Sequence, residues 1–334
     1  MRSTVSHAPE KVFCGGVDVG GTKVSSALFG AEGQLHSRHK VALDRKGAGE
    51  AASEVARVIE ELQASARDLG GMIQAVGICI PGIVYQKSGK VWAPNIPGWD
   101  QFPLRDKIRQ EIDLPLVIDS DRTAYVLGEQ WCGAARGLRD VVYLAVGTGI
   151  GAGILSGGRV CRGFEDIAGA VGWFGLNRDS KPEYAAMGCF EAEASGNSVG
   201  RKAREALKRG ASSAMVQLAG GNLDAVTAET VVAAARAGDR LALEIVQEAA
   251  SYLAMGVANI VSILNPEMIV LGGGLFQAGE LLLDPVKLEF VRWAQPLAAR
   301  NVKIVLSRLG EDAGLCGAGR LAWESLKGEG SCLL

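Results

Sequence analysis

Apolar and polar positions along this chain fall into blocks whose period changes from one block to the next. Residues 12–19, VFCGGVDV, form an apolar run that ends at Gly20 and Gly21, and KVSSALFG follows at once with strand-like composition. This pattern predicts a β-hairpin rather than a strand leading into a helix. QLHSRHKVAL predicts a third strand after the AEG turn. From about 49 to 69, apolar positions recur at helical spacing among good helix formers. QAVGICIPG then reads as a buried strand ending in a turn, LRDKIRQEI as a short helix and PLVIDSD as another strand.

A second helix is expected from near Thr123, after which the pattern starts again: DVVYLAVGTGIGAGILSGG is strand, glycine turn, strand. The recurrence predicts two related halves. Residues 157–200 read as irregular, 201–236 as helical with loops, and 239–264 as a long helix before the strand EMIVLGGGLF. EDAGLCGAGRLAWESLK predicts a terminal helix. No proline-rich or polar linker divides the chain, so two domains meeting in a tight cleft are expected.

Composition narrows the classes. With 334 residues, 48% hydrophobic and 22% charged, the chain can bury two domain cores. A formal charge of -2 and no Lys/Arg-rich block argue against nucleic acid as the main partner. The first ten residues lack the apolar core of a signal peptide, and no uninterrupted apolar run approaches the roughly 18 residues of a membrane span. No membrane partner and a cytoplasmic location are therefore expected. Cys332 stands third from the end, where a prenylation motif needs its cysteine fourth. The seven cysteines are odd in number and widely spaced, which fits reduced thiols. Glycine, at 45 residues, gathers at GGVDVGGT, GTGIGAG and LGGG, as backbone does where it must approach something closely.

DVGGTK, Asp18 to Lys23, has the spacing neither of a Walker A loop nor of a dinucleotide turn before a helix. Between two antiparallel strands, Gly20 and Gly21 let backbone N–H groups face an anion, with the Thr22 hydroxyl and the Lys23 ammonium as further donors. Asp18 beside them suits a magnesium ion held through water. The alternative is a hairpin turn with a salt-bridged surface lysine. GTGIGAG, with Gly147, Thr148 and Gly149, repeats the same chemistry. In LGGGLF, Gly272, Gly273 and Gly274 follow a buried strand and leave room for the flat face of a base or for a ribose.

VDVGGTK, GTGIGAG and IVLGGG, in this order and at these separations and with PNIPGW at 94–99, resemble the ROK family of sugar kinases and related repressors, within the actin-like ATPase superfamily. The resemblance runs from about residue 12 to 325. It implies an α/β fold of two actin-like ATPase (ribonuclease H-like) domains, with mixed β-sheets flanked by helices and the active-site cleft between them. An N-terminal domain is expected over 12–127 and a C-terminal one over 128–330, the terminal helix packing back toward the first. The implied cofactors are ATP and Mg²⁺, the implied partner is a small sugar or polyol, and a homodimer is the assembly the resemblance admits. The family's repressors carry a winged helix of several dozen residues before the first glycine turn. Here about a dozen residues precede the first strand, so the kinase branch is expected.

Phosphoryl transfer to a hydroxyl needs a carboxylate to orient the acceptor and take its proton. The resemblance puts that catalytic carboxylate at Asp121, in VIDSDRTAYVLGEQ, and puts Ser120 where the family usually has a sugar-binding asparagine. Asp121 also suits a helix N-cap. Asp119 is expected to be a solvated strand-end charge rather than a second cleft carboxylate. Asn95 matches a residue that hydrogen-bonds sugar hydroxyls, and Gly82 lies where relatives bring backbone close to the sugar. Glu191, in MGCFEAEASG, matches a carboxylate that accepts hydrogen bonds from the sugar; as a plain residue it is a helix-start glutamate.

The family pattern breaks in AGAVGWFGLN, just after Glu165 and Asp166. Family kinases usually show Gly-Glu-x-Gly-His before a Cys-x-Cys-Gly-x-x-Gly-Cys segment, the Glu and His contacting sugar and the His joining three cysteines around zinc. Here Ala170 replaces that glutamate and Trp173 that histidine, while Pro182 and Tyr184 replace two of the cysteines and only Cys189 remains. A tetrahedral zinc site needs four N or S ligands, so no zinc is expected. The loop is expected to be held by the apolar surfaces of Trp173, Phe174 and Tyr184. Two readings of Trp173 stand: an indole that stacks on a different or modified sugar ring, or core filler. The expected function is an ATP-dependent kinase acting on a sugar or polyol hydroxyl. Its alternative is a non-catalytic sugar-responsive regulator.

Overall fold

The computed structural model describes residues 11–43 and 47–327, so the first ten residues and Cys332 lie outside the described residues. The chain divides into two compact units. One holds the described parts of Met1–Arg136 and Glu311–Leu334 together with Gly163–Ile167, and the other holds Gly137–Arg162 and Ala168–Gly310.

The first unit opens with β1 (Lys11–Val19), β2 (Lys23–Phe29) and β3 (Leu35–Ala42), a meander in which both pairs are antiparallel. The helix α1 (Ala48–Asp68) follows and buries Ala52, Val55, Ile59, Leu62 and Ala66, the stripe that its spacing predicts. β4 (Gly71–Ile80), the short hairpin of β5 (Ile83–Tyr85) and β6 (Lys90–Trp92), α2 (Leu104–Arg109) and β7 (Leu116–Ser120) come next, and then α3 (Asp121–Cys132). The sheet order is β3-β2-β1-β4-β7, with β1, β4 and β7 parallel. A domain boundary at 127/128 would cut α3, which runs on to Cys132 and stays in this unit.

The second unit starts with β8 (Val141–Val146), β9 (Ile150–Ser156) and β10 (Arg159–Val160). The helices α4 (Tyr184–Met187), α5 (Cys189–Ala194), α6 (Gly196–Lys208), α7 (Met215–Leu218), α8 (Ala228–Arg236) and α9 (Arg240–Leu264) follow in turn. β11 (Met268–Gly272), α10 (Glu280–Phe290), α11 (Pro296–Asn301) and β12 (Lys303–Leu306) complete it. Its sheet, β10-β9-β8-β11-β12, has the same order and the same strand senses as the first: an antiparallel meander joined to two parallel strands. That repetition of topology is the structural form of the repeat read in the sequence. Among the described residues, α9 is the one helix long and apolar enough to cross a membrane by length and composition. It contributes Leu253, Ala254, Val257 and Val261 to the core of its own unit, which accounts for its hydropathy.

The last helix, α12 (Ala313–Leu326), belongs to the first unit and packs on α3, β1 and β4. Its glycine-rich start permits backbone contact. A Cβ at Gly317 would stand 1.8 Å from the Ala124 carbonyl oxygen, and one at Gly77 would stand 1.9 Å from that of Ala318.

Candidate functional site

In the first unit, strand register lines up the acidic candidates. Asp18 on β1 pairs with Cys79 on β4, and Cys79 pairs with Asp119 on β7. The three parallel strands therefore end along one edge, the place where open α/β sheets offer ligands the carboxyl ends of their strands. Just beyond that edge the β1–β2 turn closes with the Gly20 N–H donating to the Lys23 carbonyl at 2.8 Å. Thr22 is exposed, and Gly20 and Gly21 are half-buried. Lys23 lies 3.5 Å from Glu311, both largely exposed, a pair that contributes little on its own.

Asp18 is held by a buried thiol: Cys79 Sγ donates to its Oδ1 at 3.3 Å. Its other oxygen stays uncovered on one side because residue 314 is glycine; a Cβ there would stand 2.8 Å from Oδ2. Burial raises the Asp18 pKa, opposed by the Cys79 hydrogen bond and by the Lys23 charge. A hard carboxylate oxygen beside a glycine turn, free of a side chain at residue 314, fits a magnesium ion held through water, which takes few protein ligands.

Asp121 is the first residue of α3, and the N-cap is its neighbour. Ser120 Oγ accepts from the Thr123 N–H at 3.3 Å and donates to Thr123 Oγ1 at 3.1 Å, so this buried hydroxyl is engaged in capping. The Asp121 carboxylate is thereby left for other work. Its Oδ1 accepts from the Arg122 N–H at 2.7 Å and its Oδ2 from the Tyr125 hydroxyl at 3.3 Å. Burial pushes its pKa up to about 6; the Arg122 charge opposes this and the Asp18 charge adds to it. Tyr125 was not anticipated, and its position four residues after Asp121 on one helix was the available signal.

Asp119 corrects the expectation of a solvated charge. It is 3% exposed, and its Oδ1 accepts from the Ser120 N–H at 2.7 Å, because β7 ends inside the unit rather than at its surface. Gly82 has a packing reason of its own: a Cβ would stand 2.0 Å from the Trp92 carbonyl oxygen. Asn95 sits exposed in a turn fixed by Ala93 N–H to Trp99 O at 2.8 Å, with Trp99 buried and stacked on Phe102.

In the second unit the other two glycine clusters meet. Gly147 follows β8 and its N–H donates to the Gly149 carbonyl at 2.9 Å, while a Cβ on Gly147 would lie 3.8 Å from the Gly274 nitrogen. Thr148 is exposed at the turn. The three glycines at the end of β11, Gly272 to Gly274, do different things. A side chain at Gly272 would collide with the Tyr143 hydroxyl at 1.9 Å, and Gly273, at φ +94°, would meet the Val146 carbonyl at 2.5 Å. Gly274 faces open space, with nothing within 4 Å of an added Cβ.

Glu191 on α5 reaches the second glycine turn. Its Oε2 accepts from the Ile150 N–H at 2.7 Å, and a Cβ at Gly149 would stand 2.6 Å from that oxygen. Burial raises its pKa. Trp173 ends a 3-10 turn that starts after Ala170, and it is 58% exposed, so it does not fill the core.

The following loop is also held differently from expectation. Phe174 does stack on buried Phe190, but Tyr184 contributes its hydroxyl, donating to Glu193 and accepting from Asn177 Nδ2 at 3.2 Å. With a proline and a tyrosine at 182 and 184 and the Tyr184 hydroxyl turned to Glu193, the single thiol of Cys189 does not fit a tetrahedral zinc site. No trio of His, Cys, Asp or Glu suited to a metal is gathered among the described residues. Sequence reasoning missed Glu193 and the two lysines around it. Lysines at 181 and 202 stand in the chain around it, but no local pattern marks this glutamate as buried before α5 is packed.

The sequence pattern of the ROK family matches residues 14–325. A glucokinase of Halalkalibacterium halodurans is 33% identical over 314 residues, covering 92% of this chain and 93% of that protein. A glucokinase of Thermotoga maritima is 34% identical over 316 residues, with 94% and 98% covered. Among solved structures, a ROK family glucokinase from Streptomyces griseus in complex with glucose and AMPPNP superposes with a TM-score of 0.76 at 33% identity, covering 93% of this chain and 99% of that one. The two glycine-turn sheets of like topology thus carry a sequence pattern that spans almost all of both, and the chain belongs to the ROK family.

Proposed function

We propose that this ROK-family sugar kinase transfers the γ-phosphate of ATP to a sugar hydroxyl with Asp121 as the base. The observation that carries this is the Asp121 carboxylate: placed at the carboxyl edge of a parallel sheet, relieved of capping by Ser120, and raised to about 6. A carboxylate poised near the working pH is charged in the resting enzyme and basic enough to take the acceptor's proton as the oxygen attacks. Above pH 6 the base is ready. Tyr125 fixes the orientation of that carboxylate through Oδ2.

Gly20, Gly21, Thr22 and Lys23 of one turn, and Gly147, Thr148 and Gly149 of the other, offer N–H, hydroxyl and ammonium donors to phosphate oxygens. Magnesium, when bound, would neutralise charge on the transferring group, and Asp18 would hold it through water. Gly274 gives the nucleoside an open stretch of backbone, while Gly272 and Gly273 shape that turn from beneath. Asn95 donates to or accepts from sugar hydroxyls and Glu191 accepts from them, while Gly82 and Ser120 shape the backbone within the first unit. The exposed indole of Trp173 is a stacking face for a sugar ring. A cytoplasmic location goes with this reading: the described cysteines stand as free thiols, as that compartment keeps them.

One observation favours a second reading. Ala170 offers no polar group at the 3-10 turn, which fits a protein that senses a sugar and transfers nothing to it. ATP consumption measured against a panel of hexoses, amino sugars and cyclitols separates the two. Stimulation by one of them is the expected result. A sugar that raises the melting temperature without stimulating turnover would move the protein to the sensor class.

A further inference from the structure

Glu193 is a carboxylate buried to 1% exposure in a segment otherwise made of short helices and loop. A charge so placed is costly unless it is paired. Its Oε1 accepts from Lys181 Nζ at 2.5 Å and from the Tyr184 hydroxyl. Its Oε2 lies 2.8 Å from Lys202 Nζ, without an aligned hydrogen bond, so that contact is one of charge. Lys202 aligns instead with the Glu193 carbonyl at 3.0 Å and with Glu248 Oε1 at 2.8 Å, over the ring of Tyr252. The two lysines hold Glu193 well ionised, at about 2.

The cluster joins three pieces of chain. Lys181 and Tyr184 come from the loop and α4, Glu193 from α5, and Lys202 from α6. The middle piece matters most, because α5 has six residues and a helix that short has almost no stability of its own. Its direction is set from outside. Phe190 anchors it in the core, and Glu193 anchors its other end. Glu191 lies between these anchors, about 200° around the helix from Glu193, and reaches Ile150 at the glycine turn.

We propose that Lys181, Tyr184, Glu193 and Lys202 form an ionic clamp that holds the 181–193 segment and thereby aims Glu191 at the sugar. Glu193 is a positioning residue in this scheme, and it never touches substrate. The clamp rests on the reading of Glu191 as a sugar ligand, and it fixes how that residue is aimed.

The test uses the full chain and the variants Glu193→Gln, Lys181→Met, Lys181→Arg and Tyr184→Phe. D-Glucose and ATP are the probes in steady-state kinetics, and amide hydrogen exchange at Ile150 is followed without substrate. Glu193→Gln is expected to raise the KM for D-glucose on the order of tenfold through misplacement of Glu191, while the KM for ATP stays within about twofold. Ile150 exchange should quicken in the same variant while Val142 and Leu144 of β8 keep their protection. Lys181→Met should show a smaller change of the same kind, and Lys181→Arg should restore the wild-type KM.

A Glu193→Gln protein with a lowered melting temperature but unchanged D-glucose KM and unchanged Ile150 exchange would overturn the clamp. If that variant fails to fold, Tyr184→Phe, which removes the hydroxyl's hydrogen bonds to Glu193 and Asn177 and no charge, decides by the same two readouts. A wild type that turns over no sugar would defeat the kinase reading alone, and Ile150 exchange would still decide on the clamp.

Discussion

The Tyr125 hydroxyl donates to Asp121 Oδ2 across one turn of α3, at 3.3 Å. That bond favours the charged carboxylate, against the burial that pushes Asp121 up to about 6. As the base, Asp121 must be deprotonated, so kcat/KM should fall about tenfold per pH unit below about pH 6 and level off above it. Asp121→Asn should lose at least roughly 10²-fold in turnover with nucleotide binding intact. A flat profile from pH 7 down to pH 5 would remove Asp121 from the role.

Replacing Tyr125 by phenylalanine takes away one of the groups that hold the Asp121 pKa down. The acid limb of the Tyr125→Phe profile should therefore move to higher pH, with the plateau rate less affected. A limb that moves toward lower pH, or stays where it was, would show that the hydroxyl does not tune this carboxylate.

The same shift has a stability consequence of known sign. The native state keeps a proton on Asp121 up to about pH 6, whereas the unfolded chain releases it near 3.8. Stability from this group is present below 3.8 and is lost as pH rises through about 6. Asp121→Asn, which cannot ionise, should thus melt at or above the wild-type temperature at pH 8, and its advantage should vanish by pH 4. Calorimetric melts at the two pH values check this, and a variant less stable at pH 8 would contradict the burial argument.

Much of the fold was legible because its signals are local. The hairpin at Gly20 and Gly21, the stripe of α1 and the long α9 are each set by composition within one stretch of chain. Where sequence reasoning failed, the outcome was decided by packing rather than by the pattern of the local stretch. Asp119 looked like a strand-end charge because nothing in PLVIDSD shows that β7 ends inside its unit. Tyr184 looked apolar because Glu193, which takes its hydroxyl, gives no sign of burial until α5 is packed. The roles of Gly272 and Gly82 are likewise fixed by Tyr143 and Trp92, which no local pattern ties to them.

The glycine cluster at the end of β11 separates packing from binding within three residues. Gly273, at φ +94° and 2.5 Å from the Val146 carbonyl for an added Cβ, has no room for a side chain. Gly273→Ala should lower the melting temperature markedly, at a cost of about 1–3 kcal/mol for the strained backbone. Gly274→Ala meets open space and should fold as the wild type does, yet raise the KM for ATP if the nucleoside lies on that backbone. Equal and unperturbed ATP KM values in a folded Gly274→Ala would take the nucleoside away from this turn.

Trp173 tests whether the wall of the sugar site has been rebuilt or lost. Its backbone is fixed: the Trp173 N–H donates to the Ala170 carbonyl at 3.2 Å, and a Cβ at Gly188 would stand 2.7 Å from the Trp173 Cα. Its side chain is 58% exposed, so little packing is lost when it is removed. Trp173→Ala should melt within a degree or two of the wild type, as surface substitutions do, at roughly 0.5 kcal/mol or less. If the indole stacks on the ring, the sugar KM should rise about three- to tenfold, the worth of one such contact, with ATP unaffected. A sugar KM that does not change would leave the indole without a part in binding. A KM that falls would mean that Trp173 obstructs the sugar rather than receiving it, and Trp173→His together with Ala170→Glu would then be the pair expected to improve D-glucose binding, since each adds a polar group for a hydroxyl.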